Sequence, residues 1–173
     1  MKDIELILKQ TSDSYTWTNE LLKTIHFDKW DVCPDVIKST LNWQVGHLIM
    51  SHYFHSIMVI KGHQMDIIKR IPMKEYDEYF TNSSPDLAIG KVDSNTLFEQ
   101  LDFIQKSSLA LIQNLKSEDL YRPLEPSPVP HPIAKNKLEA LDWNVKHTMY
   151  HCGQIGILKR IVAERHDFGL RKN

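Results

Sequence analysis

His147 and His151 stand four residues apart in a long stretch with helical character, followed by Gly153 and Gln154. On a helix that spacing stacks two imidazoles on one face, with Cβ atoms about 5–6 Å apart. Two rings so placed can bind one metal ion. His47 lies 100 residues earlier, in a second helical stretch. As a third ligand from a facing helix it would complete a three-histidine site with open positions, the arrangement metals use to bind substrate or water. Without a metal, the His147–His151 pair could instead bond to hydroxyls, backbone or water.

Other residues with chemical potential are less well placed. His55 is two turns from His47, about 12 Å along the axis, too far to share an ion with it. His52 falls on a different face and His63 lies beyond the helix. His131 sits in a proline-rich loop, where it could close over a pocket but reads first as a surface histidine. Cys152 adjoins His151 and so points about 100° away from it; it reads as a small buried residue, and Cys33 as an inert thiol. Asn144 and Gln154 share the face of the histidine pair. They are candidates for supporting the ligands or positioning a substrate, and equally for a hydrogen bond between helices. No carboxylate shares that face, so no general base is identifiable.

Four helices must position these groups. The first runs from about Asp3 to Ile25, with Ile4, Leu8, Thr11, Tyr15, Thr18, Leu22 and Ile25 forming one stripe. The second runs from near Thr40 to Gly62, a C′ glycine. On it His47 shares a face with Met50, Ser51, Phe54 and Met58, which places its ring in a pocket with apolar walls. The third spans about Ser94 to Asn114, with Leu97, Leu101, Ile104, Ser108, Leu111 and Leu115 as its stripe. The fourth starts at Asn136, with Glu139 as capping partner, and continues to about Glu164. Its Val145, Thr148, Ile155 and Val162 look like core beside the polar strip.

The connections are punctuated differently. Residues 62–93 carry Pro72, Pro85, Gly90 and an Asn-Ser-Ser cluster, with a short helix expected over Lys74 to Phe80. Long ordered connections often cover a site. Pro123, Pro126, Pro128, Pro130 and Pro132 exclude a helix between Leu120 and Pro132. The expected fold is all-α: an antiparallel four-helix bundle with long loops, one domain over 1–173.

Composition narrows the function. The formal net charge is −1 and 25% of residues are charged, which argues against a nucleic-acid binder. Two cysteines imply no disulfide framework. Leu41 to Ile60 has no charged residue and suits a membrane span in length, but its Asn, Gln, Ser and His side chains would be costly in lipid. It reads as the most buried helix of a soluble protein, expected in the cytoplasm.

Two segments carry a resemblance. Asn42-Trp43-Gln44-Val45-Gly46-His47-Leu48 resembles the start of the second helix in the DinB-like superfamily. The run Trp143 to Ile155 resembles its last-helix pattern, His-x-x-x-His-x-Gly-Gln. The resemblance implies up-down-down-up topology, a divalent metal held by His47, His147 and His151, and a homodimer. Members with assigned activity include transferases and isomerases that use a low-molecular-weight thiol.

The expectation is therefore a metal-dependent enzyme, a thiol S-transferase or hydrolase acting on a small electrophile. The alternatives are a metal-binding module without turnover and a metal-free bundle with structural histidines. Imidazole ligands suit zinc or nickel, and also iron or copper; no thiolate or carboxylate narrows the choice.

Overall fold

The computed structural model describes residues 2–167 and Gly169. The expected domain also takes in residues 1, 168 and 170–173, which lie outside the described residues. The described chain is all-helical, with no strand beyond one isolated bridge between Pro123 and Asn136. In chain order the α-helices are α1 (Asp3–Lys23), α2 (Leu41–Tyr53), α3 (Val59–Lys61), α4 (Met65–Ile68), α5 (Met73–Asp77), α6 (Ser94–Gln113) and α7 (Lys137–Val162). Short π and 3-10 turns join or extend several of them.

Side-chain caps start three of the long helices, each satisfying a backbone N–H that has no partner within its helix. Thr40 Oγ1 accepts from the Trp43 N–H at 3.0 Å, and Asp93 Oδ2 from the Thr96 N–H at 2.9 Å. Asn136 Oδ1 accepts from the Glu139 N–H at 2.9 Å, while the Glu139 carboxylate returns the bond to the Asn136 amide. Gly62 ends the second helical run with φ 81°, in the left-handed region that favours glycine.

α1 packs on α7 and α6, and α2 on α6 and α7. The core between them is formed by residues such as Leu22, Leu48, Ile57, Leu101, Ile104 and Ile155, all nearly inaccessible to solvent. In the α1 stripe, Thr11, Tyr15, Thr18, Leu22 and Ile25 are buried, whereas Ile4 and Leu8 are only half-buried. The two threonines fit an apolar stripe because each hydroxyl bonds a carbonyl one turn earlier, Ile7 or Ser14. On α6 the buried position near the C-terminus is Ile112 rather than Leu111. A straight helix drifts from a strict seven-residue repeat, so a long stripe slips by a residue. On α7, Thr148 and Ile155 are core, and Val145 and Val162 are half-buried.

The run from Leu41 to Lys61 is helical throughout, but Phe54–Met58 winds as a π turn, which the sequence pattern does not announce. Among the described residues no helix is long and apolar enough to cross a membrane. The 62–93 connection contains α4, α5, a second π turn at Glu78–Asn82 and a 3-10 turn at Pro85–Ala88. Its helix begins one residue before the expected Lys74 and its winding runs two residues past Phe80.

Candidate metal centre

His47 comes from α2, and His147 and His151 from α7. The three rings each offer a ligand nitrogen, and these atoms lie within 4.8 Å of one another. His147 Nε2 and His151 Nε2 are 3.2 Å apart. Two nitrogens on one tetrahedral ion, each about 2.0–2.1 Å from it, would be roughly 3.3 Å apart.

The remaining ring nitrogens fix which atoms are free. His47 Nδ1–H donates to the backbone carbonyl of Phe80 at 2.7 Å. His151 Nδ1–H donates to Gln44 Oε1 at 2.6 Å. Both neutral rings therefore carry their proton on Nδ1 and present a lone pair at Nε2. Gln44 is oriented in turn, because its Nε2 donates to Gln154 Oε1 at 2.8 Å and to Ser39 Oγ at 2.9 Å. Ligand histidines in metal sites are held by such partners on the far nitrogen. The donor set fits a divalent transition ion.

Burial keeps the rings neutral. It lowers the pKa of His147 to about 4 and of His151 to about 3, with the neighbouring histidines adding to the shift. Burial also lowers His47, against a smaller upward pull from its bond to Phe80. Indoles wall two of the rings one turn away. Trp43 stacks on His47 with centroids 5.0 Å apart, and Trp143 on His147 at 6.1 Å.

His47 and His147 face a cavity of about 560 Å³. Met50, Ser51, Phe54 and Met58 line it, as expected from the His47 face, together with Met73 and Trp143. The 62–93 connection also contributes Asp77 and Thr81, and the proline-rich loop contributes Ser127, Pro128, Val129 and Pro132. Asp77 is an exposed carboxylate at the cavity, a group that the histidine face of α7 lacks.

The other candidates take distinct places. Gln154 supports Gln44 and so acts on His151 at one remove. Asn144 is spent elsewhere: its Oδ1 accepts from His52 Nδ1–H at 3.2 Å and its amide donates to the Tyr15 hydroxyl at 3.0 Å. Cys152 is buried and Cys33 half-buried, both free thiols. His63 meets the Tyr53 hydroxyl at 3.1 Å.

His131 corrects its reading as a surface histidine. It is half-buried, stacked on Phe54 at 5.6 Å, with Nε2 2.8 Å from His55 Nδ1. The loop returns over the Phe54–Met58 turn, which polarity alone does not reveal. Gln44, Phe80, Trp43 and Trp143 were not singled out from the sequence. The tryptophans had a signal, since each stands four residues before a ligand histidine. Gln44 sits one turn before His47, within the segment that carries the resemblance. Phe80 had none, because a backbone acceptor leaves no mark on residue type.

An all-helical scaffold with a convergent three-histidine cluster beside an apolar cavity defines a class of candidate metal-binding helical proteins. The sequence profile of the DinB superfamily matches residues 10–155, and the chain belongs to that superfamily. No curated protein sequence matches it.

Proposed function

We propose that the chain is a cytoplasmic metal-dependent enzyme that transfers a low-molecular-weight thiol to a small, partly apolar electrophile. Zinc or nickel is the ion that His47, His147 and His151 would hold. The observation that carries the reading is the convergence of three imidazoles, His47 and His151 with their protons locked on Nδ1, and His47 and His147 lining one apolar cavity. A divalent ion bound there would supply Lewis acidity, lowering the pKa of a coordinated thiol or water toward neutrality.

The chain's own groups support thiol transfer over hydrolysis. The partners of His47 and His151 are a carbonyl and an amide, so no carboxylate bonded to either ring offsets the charge of the ion. Met50, Phe54, Met58 and Met73 provide soft, adaptable walls for an apolar body. Both connections contribute residues to the lining of the cavity. A metal-binding module without turnover would not need so large a lined space beside its ligands. Up-down-down-up topology and homodimerisation belong to the same reading, on the family resemblance. Exposed apolar Trp17, Met149 and Ile157 along one cleft of α1 and α7 support the second of these.

The test is an assay of zinc- and nickel-loaded protein with several low-molecular-weight thiols and a chromogenic electrophile, beside the His47→Ala variant. Thiol-dependent turnover lost in the variant supports the reading. Equal rates for the two proteins contradict it and favour the binding module.

A further inference from the structure

We propose that His55 donates a hydrogen bond to the substrate, and that the substrate bears a neutral carbonyl-type oxygen beside its apolar body. The proposal shares with the proposed function the reading of this cavity as the substrate pocket.

A chain of hydrogen bonds sets the tautomer of His55. The backbone N–H groups of Ala134 and Ile133 donate to His131 Nδ1, at 2.9 and 3.3 Å. That nitrogen is an acceptor, so neutral His131 carries its proton on Nε2. His131 Nε2–H then donates to His55 Nδ1 at 2.8 Å. With Nδ1 accepting, neutral His55 carries its own proton on Nε2. Among the described residues, no group bonds to that nitrogen, and the ring lines the cavity.

The placement is local to the metal centre. The His55 ring is edge-on to His147, with centroids 5.5 Å apart. It belongs to the Phe54–Met58 π turn, and such turns re-aim side chains at functional sites. Phe54, in the same turn, holds His131 by stacking. The ring is buried apart from its opening to the cavity, so a ligand oxygen there would take the place of solvent as acceptor for this N–H.

The charge of the lining selects the oxygen. No Lys or Arg lines the cavity, and Asp77 at its edge is a carboxylate. A carboxylate or phosphate would meet no cation apart from the ion itself. A carbonyl needs only a neutral donor.

The test uses metal-free protein and two probes of one shape, acetophenone and α-methylstyrene, in which a methylene replaces the carbonyl oxygen. Long-range proton–nitrogen correlation NMR of the wild-type protein should place the His55 proton on Nε2 and show that resonance moving with acetophenone. The ratio of the two dissociation constants should favour acetophenone in wild type over His55→Phe by on the order of fivefold, the worth of one neutral hydrogen bond. His55→Gln, which keeps an N–H donor, should retain part of the preference. A proton on Nδ1, or an equal ratio in wild type and His55→Phe, would overturn the proposal; the first readout needs no variant to fold. Zinc titration of the same proteins separates the two readings. Loss of the carbonyl preference in His55→Phe, in a protein that binds no zinc, would keep this proposal and remove the metal site.

Discussion

The ring of Phe80 occupies the space that a Cβ on Gly46 would need: such an atom would lie 2.4 Å from two of the ring carbons. Glycine at 46 therefore lets Phe80 seat directly against α2. The carbonyl of Phe80 then reaches His47 Nδ1, on the residue after the glycine. One missing side chain thus couples the 62–93 connection to the orientation of the His47 ring.

Gly46→Ala tests that coupling. The buried Phe80 ring has to move, and overpacking of this kind costs about 1–3 kcal/mol. Better helix propensity returns at most about 1 kcal/mol. The urea midpoint should fall, and zinc affinity should fall with it as the acceptor of His47 shifts. A midpoint that rises would mean that Phe80 is not held as described.

Gln44→Leu removes the acceptor of His151 while keeping similar volume. Zinc affinity should drop about 10–100-fold, the usual effect of losing such a partner. Gln44→Glu keeps an acceptor at that place and should retain most of the affinity. Isothermal titration of both variants checks this; equal losses would assign the effect to the Gln44 Nε2 bonds to Gln154 and Ser39, which both variants lose, and not to the acceptor of His151.

Acid should destabilise the metal-free protein in a defined window. His147 and His151 titrate at about 4 and about 3 in the folded chain, against an ordinary value of 6.5. His52 is held at about 3 by burial in the same way. Below the ordinary value the unfolded chain takes up protons that the folded chain refuses. Stability is therefore complete above about pH 6.5 and declines as pH falls toward the folded values. The slope is about 1.4 kcal/mol per pH unit for each fully buried histidine in that window. Urea midpoints at about pH 7.5 and pH 5.5 should differ, the lower belonging to the acid sample; equal midpoints would contradict the burial account.

The helices and the histidine cluster were legible because both are written in spacing. Three- and four-residue steps marked the stripes, Thr40, Asn136 and Gly62 marked ends, and the His147–His151 pair needed only a helix to converge. The π turn was not legible, because nothing in the residue types or spacing of Phe54–Met58 sets it apart from the α-helix before it. His131 was misplaced for a related reason: its burial comes from a loop folding back on Phe54, a contact 77 residues away in the chain. Asn144 shares the histidine face, yet its amide is spent on His52 and Tyr15, neither of which its helix specifies.

The oligomeric state is checked by light scattering on metal-loaded protein. A homodimer gives about twice the chain mass of 20.2 kDa at all workable concentrations. A mass that stays at the single-chain value would remove dimerisation from the account.

His47, His147 and His151 are proposed to hold one divalent ion. Protein purified without a histidine tag, loaded with zinc and desalted, should retain one equivalent per chain by elemental analysis. His151→Ala should retain almost none, since two imidazoles hold the ion poorly. Wild-type protein that keeps no zinc or nickel after desalting, or a His151→Ala variant that keeps as much as wild type, would contradict the claim.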